Sequence, residues 1–341
     1  MKQIFIKADR KYRILVDTDY SVEIANIAKA HQRVVLIAPA KLLKVIKLKR
    51  ISNLILISVP DGELQKNVKT LEKIWNELGK QKISRADAII GLGGGATTDL
   101  AGFAAATWLR GIAWYAIPTS LAAMVDAAIG GKTAINSSTG KNLIGSFYSP
   151  SGVYIDLQFL QTLPARDLSA GMAEVIKCGY ISDKKILKLA QEDVIDFKEL
   201  IYRSIKVKAD VVNRDFKESK LREILNYGHT LGHAIEKHSK FKLRHGEAVS
   251  IGLVFAAELS NIVGDLPADV VEEHRRVLAS FNLPISYPKQ HLAALKKIMI
   301  SDKKVKGNQI RFIGLKNIGK PTWFDSVNSK HIELAYERIA K

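Results

Sequence analysis

Ala88-Ile89-Ile90-Gly91-Leu92-Gly93-Gly94-Gly95-Ala96-Thr97-Thr98-Asp99 joins an apolar run to a glycine cluster and a polar helix start. An uncharged run of strand length breaks into glycines and resumes as a helical pattern, so a strand, a tight turn and a helix start are predicted here. Glycines let backbone N–H groups approach a phosphate, and the following helix presents its positive end to that anion. A dinucleotide pyrophosphate fits such a turn. By spacing alone the signal is weak, because Gly111 stands about 20 residues on, where an acidic ribose partner is expected, and the turn follows a middle strand.

Outward from this turn the first half alternates strand-like and helix-like segments. Strands are predicted at Met1 to Ile6, Val34 to Ala38, Leu54 to Val59, Ala88 to Leu92, Ile112 to Ile117 and Val153 to Ile155, and helices at Asn67 to Lys80 and Asp99 to Leu109. After Pro164 long helices take over, at Asp167 to Tyr180, Lys184 to Asn213, Leu221 to Lys237, Glu247 to Val263 and Ala268 to Phe281, with one late strand at Gln309 to Leu315. At 341 residues the chain exceeds the usual size of one core. The expectation is an α/β, Rossmann-like N-terminal domain over residues 1–165 and a mainly α-helical C-terminal domain over 166–341, with the chemistry in a cleft between them.

Nearly half the residues are hydrophobic, 47%, which is ample for packed interiors. No uncharged apolar run reaches the ~18 residues of a membrane span, and the start reads as a strand, so a cytoplasmic protein without membrane or signal segment is expected. The lone Cys178 cannot form an internal disulfide and reads as a small buried hydrophobe. A net charge of +18 would suit nucleic acid or an anionic small substrate. Its densest run, Lys41 to Arg50, alternates with aliphatics and is predicted to be an amphipathic helix with a solvated basic face. No aromatic stacking platform accompanies it, so no nucleic-acid partner is expected.

The chemistry concentrates in Asn226-Tyr227-Gly228-His229-Thr230-Leu231-Gly232-His233-Ala234-Ile235-Glu236 and, a short loop later, His245-Gly246-Glu247. Two histidines four residues apart share a helix face, and a third imidazole can close on the same cation. Thr230 occupies the place where a zinc protease needs Glu, so that reaction is excluded. The best anionic ligand lies upstream at Glu174, with Lys177 beside it at i, i+3. Gly130-Gly131-Lys132-Thr133 lacks the spacer of a nucleotide-triphosphatase loop. Lys132, Lys141 and Asn142 remain as donors for an anionic ligand, and Asp126 as a group to orient a hydroxyl. Lys208 precedes the histidines, and Arg222 and Asn226, at i, i+4, are predicted to point together towards His229. A metal bracketed by such donors suits a phosphorylated or carboxylated polyol.

These blocks, together with Gly62-Glu63-Leu64-Gln65-Lys66, Trp108-Leu109-Arg110-Gly111, Gly140-Lys141-Asn142-Leu143-Ile144-Gly145 and Asp302-Lys303-Lys304, resemble the 3-dehydroquinate synthase family, and its actinobacterial branch most. The resemblance implies a dehydroquinate synthase-like fold and a lyase that forms 3-dehydroquinate and phosphate from 3-deoxy-D-arabino-heptulosonate 7-phosphate. It implies transient use of NAD⁺, one divalent metal, Zn²⁺ or Co²⁺, and a homodimer. Carried onto matching positions, the metal ligands are Glu174, His229 and His245. The cofactor residues are Asp61, Gly62, Glu63, Leu64, Gln65 and Lys66; Gly94, Gly95, Ala96, Thr97, Thr98 and Asp99; Thr119 and Ser120; Lys132 and Lys141; and Phe159, Leu160, Gln161 and Thr162. The substrate and catalytic residues are Arg110, Asp126, Lys132, Asn142, Lys177, Lys208, Glu218, Arg222, Asn226, His233 and Lys303.

Three positions depart from the family pattern. Met124 stands where many members carry Gln, Ala134 where Gly is usual, and the strand end Ile37-Ala38-Pro39-Ala40 lacks the acid that often holds the adenosine ribose. The alternatives are another sugar-phosphate cyclase, separated by its substrate, and a metal-dependent polyol dehydrogenase, separated by net NADH formation.

Overall fold

The computed structural model describes residues 1–303 and 310–341, and residues 301–303 by backbone alone. The chain separates into two compact units, Met1–Leu163 with Lys208–Lys217, and Pro164–Val207 with Glu218–Lys341. The segment Lys208–Lys217 thus belongs with the first unit, although the change of pattern near 165 assigns it to the helical half.

In the first unit, β1 (Lys2–Lys7) and β2 (Lys11–Val16) form an antiparallel hairpin, followed by α1 (Tyr20–Ala30), β3 (Val34–Pro39), α2 (Ala40–Val45) and β4 (Leu54–Val59). Then come α3 (Val68–Lys80), β5 (Ala88–Gly93), α4 (Gly95–Thr107) and β6 (Ala113–Pro118). A small ribbon of β7 (Lys132–Ile135) and β8 (Ile144–Phe147) precedes β9 (Gly152–Ile155) and α5 (Gln158–Gln161). The main sheet runs β1-β2-β9-β6-β5-β3-β4 and is parallel from β2 onward. Strands β5 and β9 are buried along their length, as parallel strands covered on both faces must be. Side-chain caps set helix starts: Asp19 accepts from the amides of Ser21 and Val22, and Asn67 from that of Thr70. From β3 the chain goes to the edge strand β4 and then crosses back to β5. The connections leaving β3 and β5 therefore diverge, which is where such sheets bind ligands at their carboxyl ends.

In the second unit, α6 (Ala165–Ile181), α7 (Lys184–Leu189) and α8 (Phe197–Arg214), whose end joins the first unit, lead to α9 (His229–His238) and α10 (His245–Gly264). The chain ends with α11 (Ala268–Ser280), α12 (Leu292–Lys303), the hairpin β10 (Phe312–Asn317) and β11 (Lys320–Phe324), and α13 (Ser329–Glu337). Helix α10 is long and apolar enough to cross a membrane, but its window is 78% buried within the protein and it serves as the core helix of this unit.

Three predicted helices are corrected. The basic run is helical only over Ala40–Val45, since like charges one turn apart repel and no acid in the run offsets them. Lys184 to Asn213 divides into α7 and α8, because Asp183 and Asp196 cap new starts by accepting from the amides of Lys185 and Glu199. Leu221 to Lys237 divides at Gly228, whose left-handed φ of 79° separates a 3-10 turn, Leu221–Asn226, from α9. Arg222 and Asn226 therefore do not share an α-helical face: Arg222 is fully buried, while the Asn226 amide donates to Glu218 Oε1 at 2.9 Å. Gln309, where the late strand was to begin, lies outside the described residues, and that strand forms as β10.

Candidate active site

Helix α6 carries Glu174 and Lys177 on one face in the interior of the second unit, at 1% and 2% exposure. The Lys177 ammonium bonds Glu174 Oε2. The other oxygen, Oε1, faces His229 Nε2 at 3.4 Å and His245 Nε2 at 3.3 Å, yet it has no hydrogen bond. Ligand atoms of Glu174, His229 and His245 all lie within 4.8 Å of one another. An orphaned carboxylate oxygen facing two imidazole nitrogens is the donor set that a borderline-soft divalent cation takes.

Each imidazole is oriented from behind. His229 Nδ1 lies 3.1 Å from the carbonyl of Tyr227, which can only accept, so Nδ1 carries the proton and Nε2 offers its lone pair towards Glu174. His245 Nδ1 lies 3.1 Å from Glu236 Oε2. A carboxylate behind a ligating imidazole fixes its ring and raises its basicity. Glu236 has no predicted role in the sequence reading; its only signal there is its place three residues after His233. His245 begins α10, where Glu247 accepts from the Arg244 amide at 2.8 Å and closes the first turn. The neighbouring Gly246 lets α10 touch α6, since a Cβ there would lie 1.7 Å from the Ala170 carbonyl oxygen.

His233 stands one turn beyond His229 with an exposed side chain. Its ring lies 5.2 Å from that of His229, and with Glu236 and His245 it forms a second group of donors within 4.8 Å. The two groups share His245. They differ in that the Glu236 carboxylate already accepts from His245, whereas Glu174 Oε1 has no partner.

Burial works against the charge of Glu174, but Lys177 and His229 outweigh it and hold the carboxyl well below its usual range. Burial also disfavours a charged His245, and the neighbouring carboxylates of Glu174 and Glu236 overcome that, raising it to about 10. Its side chain is 38% exposed, so solvent screens part of this effect. Without metal the imidazole therefore keeps its second proton at neutral pH, and a metal must displace it. Affinity is expected to rise by about tenfold per pH unit from pH 6 towards 9. Isothermal titration with Co²⁺ in buffers of different ionisation enthalpy checks this; uptake without proton release would contradict it.

In the first unit a buried ammonium gathers three segments. Lys66, 3% exposed, donates to Asp99 Oδ2 at 2.6 Å and to Asn142 Oδ1. The Asn142 amide donates to Asn136 Oδ1 at 2.9 Å, and Asn136 Nδ2 to Glu63 Oε1 at 2.7 Å. The Asp61 to Lys66 turn, helix α4 and the 136–142 loop thus meet around one charge. Burial pushes Asp99 up to about 6, against the pull of Lys66. Thr119 N donates to Gly93 O at 2.9 Å, and a Cβ on Gly94 would lie 3.5 Å from Ser120 Oγ, so both polar residues flank the glycine turn. At Gly93 a Cβ would strike Thr97 Oγ1 at 2.5 Å and approach Pro39 at 3.1 Å. A close turn at the divergence of β3 and β5, opening onto the N–H groups of a helix start, is a geometry that can accept a pyrophosphate.

Lys208 Nζ donates to the carbonyl and to Oδ1 of Asp126, at 2.6 and 2.5 Å, where the chain makes a π-helical turn over Ala123–Ala127. Arg110 and Lys132 are exposed, and Arg110 follows Leu109 with both residues at positive φ. Asp61 pairs with Lys41 at 3.2 Å. Phe159 and Leu160 are core side chains, while Gln161 and Thr162 are exposed. The side chain of Lys303 and all of Lys304 lie outside the described residues. Of the departures, Met124 is fully buried, and Ala134 sits opposite Gly145 in the β7–β8 ribbon, whose missing side chain leaves room for the added methyl.

Two family models cover most of the chain: "3-dehydroquinate synthase N-terminal" matches residues 56–170 and "3-dehydroquinate synthase C-terminal" matches 171–305. The chain belongs to the 3-dehydroquinate synthase family. It is 43% identical to the 3-dehydroquinate synthase of Corynebacterium diphtheriae over 100% of this chain and 99% of the relative. With that of Paenarthrobacter aurescens it shares 50% over 83% of this chain and 80% of the relative. Among solved structures, a 2-deoxy-scyllo-inosose synthase with carbaglucose-6-phosphate, NAD⁺ and Co²⁺ has a TM-score of 0.85 at 24% identity, covering 99% of this chain and 100% of that one. A 2-epi-5-epi-valiolone synthase from Streptomyces hygroscopicus with NAD⁺ and Zn²⁺ also scores 0.85, at 23% identity and 96% coverage of each chain. These two establish the fold, as the α/β and helical pattern predicts. The 3-dehydroquinate synthase family is one of lyase-class cyclising enzymes of the shikimate pathway, and this chain is such an enzyme.

Proposed function

We propose that this protein converts 3-deoxy-D-arabino-heptulosonate 7-phosphate into 3-dehydroquinate and phosphate, with NAD⁺ on the first unit and one Zn²⁺ or Co²⁺ on Glu174, His229 and His245. The observation that carries the metal site is Glu174 Oε1, buried without a hydrogen bond before two imidazole nitrogens. When bound, the metal lowers the pKa of a coordinated hydroxyl, and NAD⁺ supplies a reversible hydride acceptor. Lys177 balances the Glu174 charge from the side away from the imidazoles. Lys66 holds Asp99 and Asn142 together, and Gly94, Gly95, Thr119, Ser120 and Lys141 are the cofactor groups. Lys208 fixes Asp126 as a hydroxyl acceptor. Lys132, Arg110, Arg222, Asn226 and Lys208 supply cationic and amide donors for a substrate bearing both a phosphate and a carboxylate, which the polyol substrate of a dehydrogenase would not require. A cytoplasmic homodimer accompanies this reading, and the mass in solution tests the assembly.

The reaction is redox-neutral overall. The test is phosphate release from the heptulosonate phosphate, with and without chelator, while absorbance follows NADH. Release that stops with chelator and restarts with Co²⁺, without NADH accumulating, is expected. Net NADH from glycerol with no phosphate released would make the protein a dehydrogenase instead.

His233 is assigned to the substrate phosphate and its proton traffic, as the family resemblance implies; Glu174, His229 and His245 would already supply three protein ligands, and a catalytic metal needs open positions. His233→Ala should retain stoichiometric metal and normal NAD⁺ affinity, with turnover slowed by about 10²-fold. Loss of metal from that variant would make His233 a ligand.

A further inference from the structure

A buried histidine unused by the chemistry above touches Tyr227, whose carbonyl orients His229. His274, on α11, is fully buried. Its Nδ1 lies 2.7 Å from the Val270 carbonyl, which can only accept, so Nδ1 carries the proton. Nε2 is then a bare acceptor, and the Tyr227 hydroxyl 3.0 Å away must donate to it. Tyr180 stacks its ring on His274 with centroids 3.4 Å apart, but its own hydroxyl is buried without a hydrogen bond. Tyr180 therefore meets His274 as a ring alone, and Tyr227 meets it through a polar bond.

Both tyrosines are attached to elements that carry candidate ligands. Tyr180 shares α6 with Glu174, and the Tyr227 carbonyl takes the Nδ1 proton of His229 at 3.1 Å. The next residue, Gly228, is left-handed, and α10 presses on its carbonyl so closely that a Cβ on Gly252 would lie 1.9 Å from it. The Tyr227-Gly228 backbone is thus held at one end by α10 and at the other by the bond from Tyr227 to His274.

We infer that Tyr227 and His274 are positioning residues for the metal site: their buried hydrogen bond fixes the carbonyl that aims His229 Nε2, and with it the affinity of Glu174, His229 and His245 for a divalent ion. The inference rests on the metal reading proposed above. A purely structural role predicts something different, because an aromatic of the same shape fills the same space and keeps the packing.

The experiment is a Co²⁺ titration of the metal-stripped full chain, read by competition with a chelator and by the visible absorption of the bound ion. Tyr227→Phe should raise the dissociation constant by about 10-fold and shift the visible bands, as loss of an outer-shell partner does. His274→Phe should do the same, and the double variant should be no worse than either single one, since both remove one bond. Tyr180→Phe deletes a hydroxyl of the same cluster that has no hydrogen bond, and should bind Co²⁺ within about twofold of the parent, because no hydrogen bond is lost. Circular dichroism checks folding; should His274→Phe fail to fold, Tyr227→Phe alone decides. Equal weakening by Tyr180→Phe, or parental affinity in Tyr227→Phe, overturns the inference. If Glu174→Gln loses Co²⁺ while Tyr227→Phe does not, only this inference falls; if Glu174→Gln binds Co²⁺ like the parent, the metal reading falls and takes it along.

Discussion

Glu174→Gln is expected to yield protein without stoichiometric divalent metal and with turnover near background. The substitution preserves shape and removes the single anionic ligand, leaving two imidazoles that cannot by themselves hold a labile Zn²⁺ or Co²⁺ in a site needing three protein ligands. The loss extends to folding. Lys177 is 2% exposed and its ammonium rests on Glu174, so the neutral amide removes a negative charge that faces a buried cation. Breaking a buried pair from one side costs about 3–5 kcal/mol, which the amide oxygen offsets in part by still accepting from Lys177. Because the folded-state pKa of Glu174 lies below its ordinary value, its contribution is present above that ordinary value and is lost as pH falls through the folded one. The gap in melting temperature between parent and variant should therefore narrow in acid. Metal analysis and thermal melts at two pH values test both parts, and retained metal would refute the ligand assignment.

Gly246→Ala is expected to be the most destabilising methyl that can be added near the site. A Cβ at this position would stand 1.7 Å from the Ala170 carbonyl oxygen, and backbone cannot rotate aside as a flexible side chain can. Helix α10 must shift off α6, at a cost of about 3 kcal/mol or more. The same shift carries His245 away from Glu174, now 3.3 Å apart, so metal affinity should fall together with stability. Unchanged melting and metal content in this variant would show that the two helices can separate without consequence for the cluster.

Much of the fold was legible because its signals are local. The run from Ala88 to Asp99 forms the strand, turn and helix start expected, the apolar runs at Val34 and Val153 form buried parallel strands, and that at Leu54 forms the half-exposed edge strand. The divisions at Asp196 and Gly228 were missed because a capping carboxylate and a left-handed glycine interrupt a periodicity that continues on both sides of them. Spacing also misjudged Arg222 and Asn226, since it assumes an α-helix where the chain makes a 3-10 turn.

The family, the class of fold and the kinds of donor available follow from residue identity and short-range periodicity, which the amino-acid order carries directly. Three features come from the folded chain alone: the carboxylate of Glu174 meets two imidazoles with one oxygen unsatisfied, Glu236 stands behind His245, and one buried lysine, Lys66, joins Asp99 to Asn142. Each depends on distant segments approaching to within a hydrogen bond, through close contacts such as Gly246 on Ala170. Burial and the company of other charges then set protonation, and neither is a property of any residue alone.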